Sequence, residues 1–177
     1  MSDAITVTIR DARAADREEV LQVMIEAYRQ YEETLPSDKW ALYRQSILAS
    51  FDNEGPAARI LAEIEGRIVG SVQLFLSSEA AYGAPELGIT SPIIRYLAVP
   101  PEQRGRGIAT SLIREAAARA VQLGADWLHL HTSDMMASAV SLYERLGFER
   151  AFNTDVMNGE TLVKGYRLDL KAKAAPL

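Results

Sequence analysis

The stretch YLAVPPEQRGRGIATSLIREAA, from Tyr96 to Ala117, constrains this chain more than any other part of it. An apolar run ending at Val99 meets the pair Pro100-Pro101, and a glycine-rich basic turn follows. Ile108, Leu112, Ile113 and Ala116 then recur at helical spacing. That order spells a strand, a tight turn and a helix N-terminus. A helix start leaves its first backbone N–H groups without partners in the helix and carries about half a positive charge, so it receives anions. Gly105 and Gly107 let the backbone come close to such a ligand, while Arg104 and Arg106 add charge and forked donors. The turn reads as a cradle for a phosphate group.

Two familiar phosphate-binding patterns do not fit it. The P-loop run GxxxxGK followed by Ser or Thr is missing, and the dinucleotide fingerprint fails because Thr110 stands where its third glycine belongs. The arrangement Arg104-x-x-Gly107-x-Ala109 instead resembles the Arg/Gln-x-x-Gly-x-Gly/Ala signature of the GNAT-type N-acetyltransferases. Further on, Ala139-Val-Ser-Leu142-Tyr143-Glu-Arg-Leu-Gly147-Phe148 is similar to that family's second signature, Ala-x-x-Leu-Tyr-x-x-x-Gly-Phe. The two motifs occur in the right order, and the resemblance spans Ile5 to Leu170.

The resemblance implies a fold, a reaction and a set of residues. The fold would be α/β (α+β), a mixed, mostly antiparallel sheet of about seven strands with helices on both faces. A coenzyme cleft would open between the strands holding Val99 and Trp127. The reaction would be direct transfer of the acetyl group from acetyl-coenzyme A to an amine, with no covalent enzyme intermediate and no metal. Gln103, Arg104, Gly105, Arg106, Gly107, Ile108 and Ala109 would hold the pyrophosphate, largely through their backbones. The backbone of Leu97, Ala98 and Val99 would bind the pantetheine and the acetyl oxygen, where an N–H aimed at the developing oxyanion helps most. Their side chains read simply as those of a buried strand. Tyr143, protonated at neutral pH with an ordinary pKa of about 10, would donate a proton to the departing thiolate. Read without the resemblance, Leu142, Tyr143 and Leu146 are a face packing a helix onto a sheet.

Composition sets outer bounds. At 177 residues the chain fits a single domain over 1–177, with a core from 5 to 170 and a frayed tail from 171. A net charge of -5 argues against nucleic acid as the main partner and suits a cationic amine. With no cysteine there is neither a disulfide, a thiolate nucleophile nor a Cys-based metal site. The N-terminus lacks an apolar signal core, and no run reaches the roughly twenty apolar residues that span a membrane, which points to the cytoplasm. No motif marks a second subunit, and a homodimer stays open.

Along the chain, Ile5, Val7 and Ile9 alternate with polar residues as a first strand. Asp16 and Glu19 form an acidic variant of a capping box for a helix that ends near Tyr31. A second helix runs from Asp38 to Phe51. Arg59 to Ile64 and Arg67 to Ser77 flank Glu65-Gly66 as a hairpin, and Glu79 to Ser91 reads as a surface loop. Pro92 to Val99 is a central strand. The helix from Ile108 to Gln122 buries Leu112, Ile113, Ala116, Ala120 and Val121 and is capped by Gly124. Trp127 to His131 is a strand, and Met136 to Leu146 a helix closed by Gly147. Phe148 to Phe152 and Leu162 to Leu170 close the sheet as an antiparallel pair around the polar stretch Asn153 to Glu160.

Other candidates stay open. Where many GNAT relatives carry an asparagine that contacts the cofactor, this chain has Met136, and Ser133, Asp134 or Ser138 could substitute. An alkylammonium must lose a proton before it attacks, so a carboxylate is expected near the acceptor. Ile93, Ile94, Arg95 and Tyr96 supply none on the strand where relatives often have one. Glu32, Glu33, Glu79, Glu86 and Asp155 lie on candidate loops, and none is singled out as the base. His129, His131 and Asp134 could suggest a metal, but a polar strand face fits them better. Tyr28 and Tyr31 either flank the acceptor or pack the core. A small amine or amino-acid-like acceptor suits a domain without appended modules. The alternatives are a protein N-terminal or lysine acetyltransferase, transfer of a longer acyl group, and a non-catalytic acyl-coenzyme A binding or sensing protein.

Overall fold

The computed structural model describes residues 6–132, 137–158 and 161–171. Ile5, Ser133, Asp134, Met136, Glu160 and the tail from 172 lie outside the described residues, as does the side chain of Ser138. The strands, β1 to β8 in chain order, hydrogen-bond in the order β1-β2-β3-β4-β5-β8-β6, with β7 paired to β8. The pairs β1–β2, β5–β8, β6–β8 and β7–β8 are antiparallel, and β4–β5 is parallel. The sheet is therefore mixed and mostly antiparallel, as the sequence leads one to expect. The chain divides into two compact units, Met1–Gln73 with Tyr96–Glu115 and Leu74–Arg95 with Ala116–Leu177. Among the described residues no helix is long and apolar enough to cross a membrane.

In the first unit β1 (Thr8–Asp11) pairs with β2 (Ala58–Ile64) in the register Ile9 to Ala62. Between them α1 (Arg17–Tyr28) turns its apolar stripe inward, burying Val20, Leu21, Met24 and Ile25. The expected capping box does not form. The Asp16 carboxylate instead accepts from Arg13 N at 2.7 Å and pairs with Arg10 at 2.8 Å, while Glu19 reaches across to accept from Ile68 N. Arg10 also pairs with Glu63, so the strongest local cation takes the carboxylate away from the helix start. That guanidinium, first through its hydrogen bond, holds Asp16 down to about 2. A short 3₁₀ turn, Arg29–Tyr31, extends α1, and α2 (Ser37–Ser50) follows after Pro36.

The hairpin from β2 into β3 (Arg67–Phe75) turns on Glu65 and Gly66, with φ of 52° and 78°. Two consecutive left-handed residues make the type I′ turn whose twist matches paired strands. On β3, Gly70 makes room for the following helix: a Cβ there would stand 2.9 Å from Ile108 Cγ2 and 3.1 Å from Leu112 Cδ1. The helix is α4 (Ile108–Gln122), which opens in the first unit with Ile108, Leu112 and Ile113 buried.

In the second unit α4 ends with Ala116 and Ala120 buried. Val121, expected inside, is 55% exposed, because it follows Ala120 by one helical step off the buried face. Gly124, at φ 81°, donates to Val121 O, and Ala125 N donates to Ala120 O, a left-handed cap that ends the helix. The stretch Glu79 to Ser91 is not a plain surface loop. α3 (Ser78–Tyr82) starts on Ser77, whose Oγ accepts from Ala80 N, and a 3₁₀ turn covers Pro85–Leu87. Ala81 and Ile89 are buried with Phe75 and Ile93, an apolar anchor too short to show a period.

β4 (Ile93–Ala98) meets β5 (Trp127–Thr132) at the pair Ile93–His129, where His129 N also donates to Pro92 O. β5 then runs along β8 (Thr161–Asp169) with His131 opposite Gly165. After α5 (Ala137–Arg145) come β6 (Glu149–Arg150) and β7 (Val156–Asn158). β7 falls in the stretch expected to be a polar turn. Phe152, expected to end the first closing strand, instead opens a 3₁₀ turn, Phe152–Thr154.

Candidate functional site

The stretch read from sequence as a cradle is a compact turn in the first unit. After β4, Pro101–Gln103 make a 3₁₀ turn in which Gln103 N donates to Pro100 O at 2.9 Å and Arg104 N to Pro101 O at 3.2 Å. Those two amides therefore serve the turn itself. Gly105 and Gly107 follow with φ of 81° and 76°, a conformation that side-chain-bearing residues resist, and a Cβ at either would meet nothing within 4 Å. The first helical bond runs from Ser111 N to Gly107 O, so the amides of Ile108, Ala109 and Thr110 lie ahead of it at the positive end of α4. The geometry suits an anion approaching Gly105 to Ala109.

The two arginines divide their work. The guanidinium of Arg104 donates to Val99 O, to Gln30 Oε1 at 2.7 Å and to Ala27 O at 3.2 Å, bracing the turn against the end of α1. Arg106 is exposed, with Gln103 Oε1 at 3.2 Å, and carries the turn's outward positive charge.

β4 contains a feature with no sequence signal. Tyr96 has φ of 55° in mid-strand, a left-handed state that costs a tyrosine about 1–3 kcal/mol. Its hydroxyl is tied to Ser46 Oγ at 2.7 Å. A left-handed residue kinks a strand and turns the backbone of the next residues out of its regular ladder. Those next residues are Leu97, Ala98 and Val99. The carbonyl of Leu97 accepts from the Tyr28 hydroxyl at 2.6 Å, and that of Val99 from Arg104. Tyr28 thus has a definite partner in this segment, a role that sequence left between lining and packing. Tyr28 and Tyr31 are both 9% exposed, and Tyr28, Tyr31 and Tyr43 share ring contacts that fasten α1 to α2. Burial raises the Tyr31 pKa.

Tyr143 belongs to the second unit, in the last turn of α5. Phe148 N donates to Tyr143 O, Gly147 N donates to Glu144 O, and Gly147 has φ of 101°. The Tyr143 and Phe148 rings lie 5.8 Å apart. This is a Schellman cap with its accompanying apolar contact, and it gives Tyr143, Gly147 and Phe148 a structural reason for their spacing in this chain. Tyr143 is 8% exposed.

The remaining titratable candidates separate clearly. Glu32, Glu33, Glu79 and Glu86 are exposed. Asp155 accepts from Gly165 N at 2.7 Å and pairs with Arg150; burial would raise its pKa, but those bonds leave it lowered. His131 is held from both sides, with Nδ1 3.0 Å from the Tyr82 hydroxyl and Nε2 2.7 Å from Thr154 O. His129 is buried with Nδ1 unpartnered. Among the described residues no three His, Asp or Glu side chains are grouped to hold a metal. Sequence reasoning missed the Tyr82–His131 contact because Tyr82 lies in the stretch read as a loop.

Burial, aided by His131 and Arg167, pushes His129 down to about 4. The unfolded chain takes up that proton near 6.5, so the folded state binds fewer protons on the acid side. Stability is therefore full above pH 6.5 and falls as pH drops toward 4, by about 3 kcal/mol from this residue alone. Urea titrations of the parent and of His129→Leu at pH 7 and pH 4.5 are expected to show the acid loss shrinking in the variant. An equal loss in both would place the acid sensitivity elsewhere.

Comparison with known proteins gives a consistent result. The model of the Acetyltransferase (GNAT) family matches residues 18–148. An uncharacterised N-acetyltransferase of Methanocaldococcus jannaschii is 30% identical over 145 residues, which is 81% of this chain, and the chain spans 61% of that relative's length. Among solved structures, a GNAT-family acetyltransferase of Staphylococcus aureus superposes with a TM-score of 0.69 at 16% identity, covering 93% of this chain and 99% of that one. The PaiA N-acetyltransferase of Thermoplasma acidophilum, solved in complex with coenzyme A, gives 0.68 at 15% identity, covering 93% and 99%.

Proposed function

Because this chain belongs to the acetyltransferase (GNAT) family, we propose that it transfers the acetyl group of acetyl-coenzyme A to a primary amine by direct attack in a ternary complex. The acceptor on this reading is a small amine or an amino-acid-like molecule. The observation that carries the proposal is the turn at Gly105 and Gly107, left-handed at both glycines and running into the start of α4. Backbone amides from Gly105 to Ala109 receive the pyrophosphate, and Arg106 adds charge. Arg104 contributes by holding the turn in shape.

The kinked segment Leu97 to Val99 presents backbone groups to the pantetheine and the acetyl oxygen. As the amine nitrogen bonds to the thioester carbon, the carbonyl oxygen gains charge that a fixed N–H stabilises. The carbon–sulfur bond then breaks, and the Tyr143 hydroxyl passes its proton to the thiolate.

Thiol release from acetyl-coenzyme A is the test, across polyamines, amino acids, aminoglycosides and N-terminal peptides, with cofactor binding followed in the same samples. Release with one acceptor class is the expected result and names the substrate. Binding with no release on any acceptor would favour a non-catalytic acyl-coenzyme A binder. Tyr143→Phe is expected to lower kcat by about 10²-fold, the lower end for a lost general acid, with the affinity for coenzyme A unchanged. An unchanged kcat would remove Tyr143 from the mechanism.

A further inference from the structure

Resting on the acetyl-transfer reading above, we propose that Tyr28 is a positioning residue for the pantetheine and acetyl end of acetyl-coenzyme A, its hydroxyl fixing the backbone at Leu97 while Ser46 holds the same strand through Tyr96. Every residue involved lies in the first unit. A tyrosine at φ 55° is strained, and it stays there only where its neighbours hold it. Two hydroxyl contacts do so. The Tyr96 hydroxyl meets Ser46 Oγ of α2 at 2.7 Å, and the carbonyl of the next residue, Leu97, accepts from the Tyr28 hydroxyl of α1 at 2.6 Å. The strained residue is thus held by its side chain, and the backbone just after it by a second helix.

Both tethers are rooted in packed rings. Tyr28 and Trp40 are buried, and the Tyr43 ring lies edge-on to Tyr28 at 5.7 Å and stacked with Trp40 at 6.4 Å. The helix that carries Tyr28 is thereby fastened to the helix that carries Ser46. A peptide unit is planar, with its C=O and N–H pointing opposite ways. Fixing the Leu97 carbonyl therefore also fixes the Ala98 N–H. Two residues on, the Val99 carbonyl accepts from Arg104, whose guanidinium also donates to Ala27 O and Gln30 Oε1. Ala27 and Tyr28 are successive residues of α1, so one helix end governs the carbonyls at both ends of Leu97 to Val99. On β3, Gly70 comes close to the middle of the segment, where a Cβ would stand 3.2 Å from Ala98 O.

The consequence is selective. A carbonyl oxygen has two lone pairs, so one bond within the protein leaves it able to accept from a ligand as well. A pantetheine arm that meets this backbone already arranged does not spend binding energy on ordering it. The pyrophosphate, on the same reading, is received further along, from Gly105 to Ala109, where the turn has its own brace in Arg104. Loss of a tether should therefore loosen the pantetheine end and spare the phosphate end.

The test measures binding of two probes to the intact chain, coenzyme A and its phosphoadenosine diphosphate fragment, which keeps the pyrophosphate and lacks pantetheine. Tyr28→Phe keeps the ring and removes the hydroxyl. It is expected to weaken coenzyme A binding about 5- to 10-fold, the effect of one lost hydrogen bond, and to leave the fragment within about 2-fold of the parent. Ser46→Ala, at an exposed helix position that alanine suits, should show the same split, and Ser46→Thr, which keeps a hydroxyl, should bind both probes as the parent does. Thermal melting checks that each variant folds, and Ser46→Ala decides the matter if Tyr28→Phe does not. Unchanged coenzyme A affinity would overturn the tethers, as would equal weakening of both probes, the mark of a merely structural role. A parent that binds the fragment as tightly as coenzyme A would overturn them too, because the pantetheine arm then gains nothing from Leu97 to Val99. A parent that binds neither probe would overturn the acetyl-coenzyme A reading along with the tethers.

Discussion

Gly107→Val is expected to cut the affinity for coenzyme A by roughly 10²- to 10⁴-fold in a protein that still folds. Gly107 sits at φ 76°, where a β-branched side chain collides with its own backbone. Relief comes from rotating φ, which swings the amides of Ile108 and Ala109 away from their common direction. The valine methyls would also enter space that is open in front of the glycine, since a Cβ there meets nothing within 4 Å. Hydrogen bonds from such amides to a charged phosphate contribute about 1.5–3 kcal/mol each, and losing two gives the stated range. Titration calorimetry with coenzyme A measures it, and circular dichroism melting checks the fold. Parent-like affinity would show that the pyrophosphate binds somewhere other than this turn.

Gly165→Ala is expected to destabilise the protein by about 3 kcal/mol, the upper part of the range for overpacking. The reason is contact rather than conformation. A Cβ on Gly165 would overlap Thr154 Oγ1 and stand 3.0 Å from Ala151 O and 3.1 Å from Thr154 Cβ. Neither side can yield cheaply, because Gly165 N is bonded to Asp155 and Gly165 O accepts from Ala151 N at 2.8 Å. For a chain of this size the loss corresponds to a melting point lower by about 6–12 °C. Adding Thr154→Ala should return part of the stability by removing the overlapping hydroxyl. If the double variant is no better than the single one, the crowding at Thr154 is not the cause.

Much of the fold was legible because local chemistry and tertiary environment agreed. Glu65-Gly66 between two apolar runs announced a hairpin, and both residues are left-handed in it. The glycines after α4 and α5 announced caps, and both caps form. Failures came where a pairing outside the helix outweighed the local pattern, or where an element was too short to show one. Asp16 is a helix-start residue by type, but Arg10 claims its carboxylate. α3 has five residues and β7 three, too few for any periodicity to rise above noise.

The candidate site was legible only in its backbone half. Gly105 and Gly107 declare a turn because glycine is the residue that left-handed positions prefer. Tyr96 declares nothing, since a tyrosine at φ 55° is held there by surroundings such as Ser46 rather than by its own preference. The partners of Tyr28, Tyr82 and His131 are all distant in sequence, Leu97 for Tyr28 and Thr154 for His131 among them. Their side chains are assigned a task by the folded chain alone.

Arg104 holds Val99, Gln30 and Ala27, all groups of the chain itself. The turn is therefore braced by the fold, and on the proposed reading association of acetyl-coenzyme A need not freeze it. Preorganisation of this kind shortens the path from encounter to bound state, so the association rate should track diffusion and the outward charge of Arg106, with little temperature-dependent lag for loop closure. An arginine aimed away from the phosphate would then strengthen capture of the cofactor, by removing an ordering cost, as well as speed it.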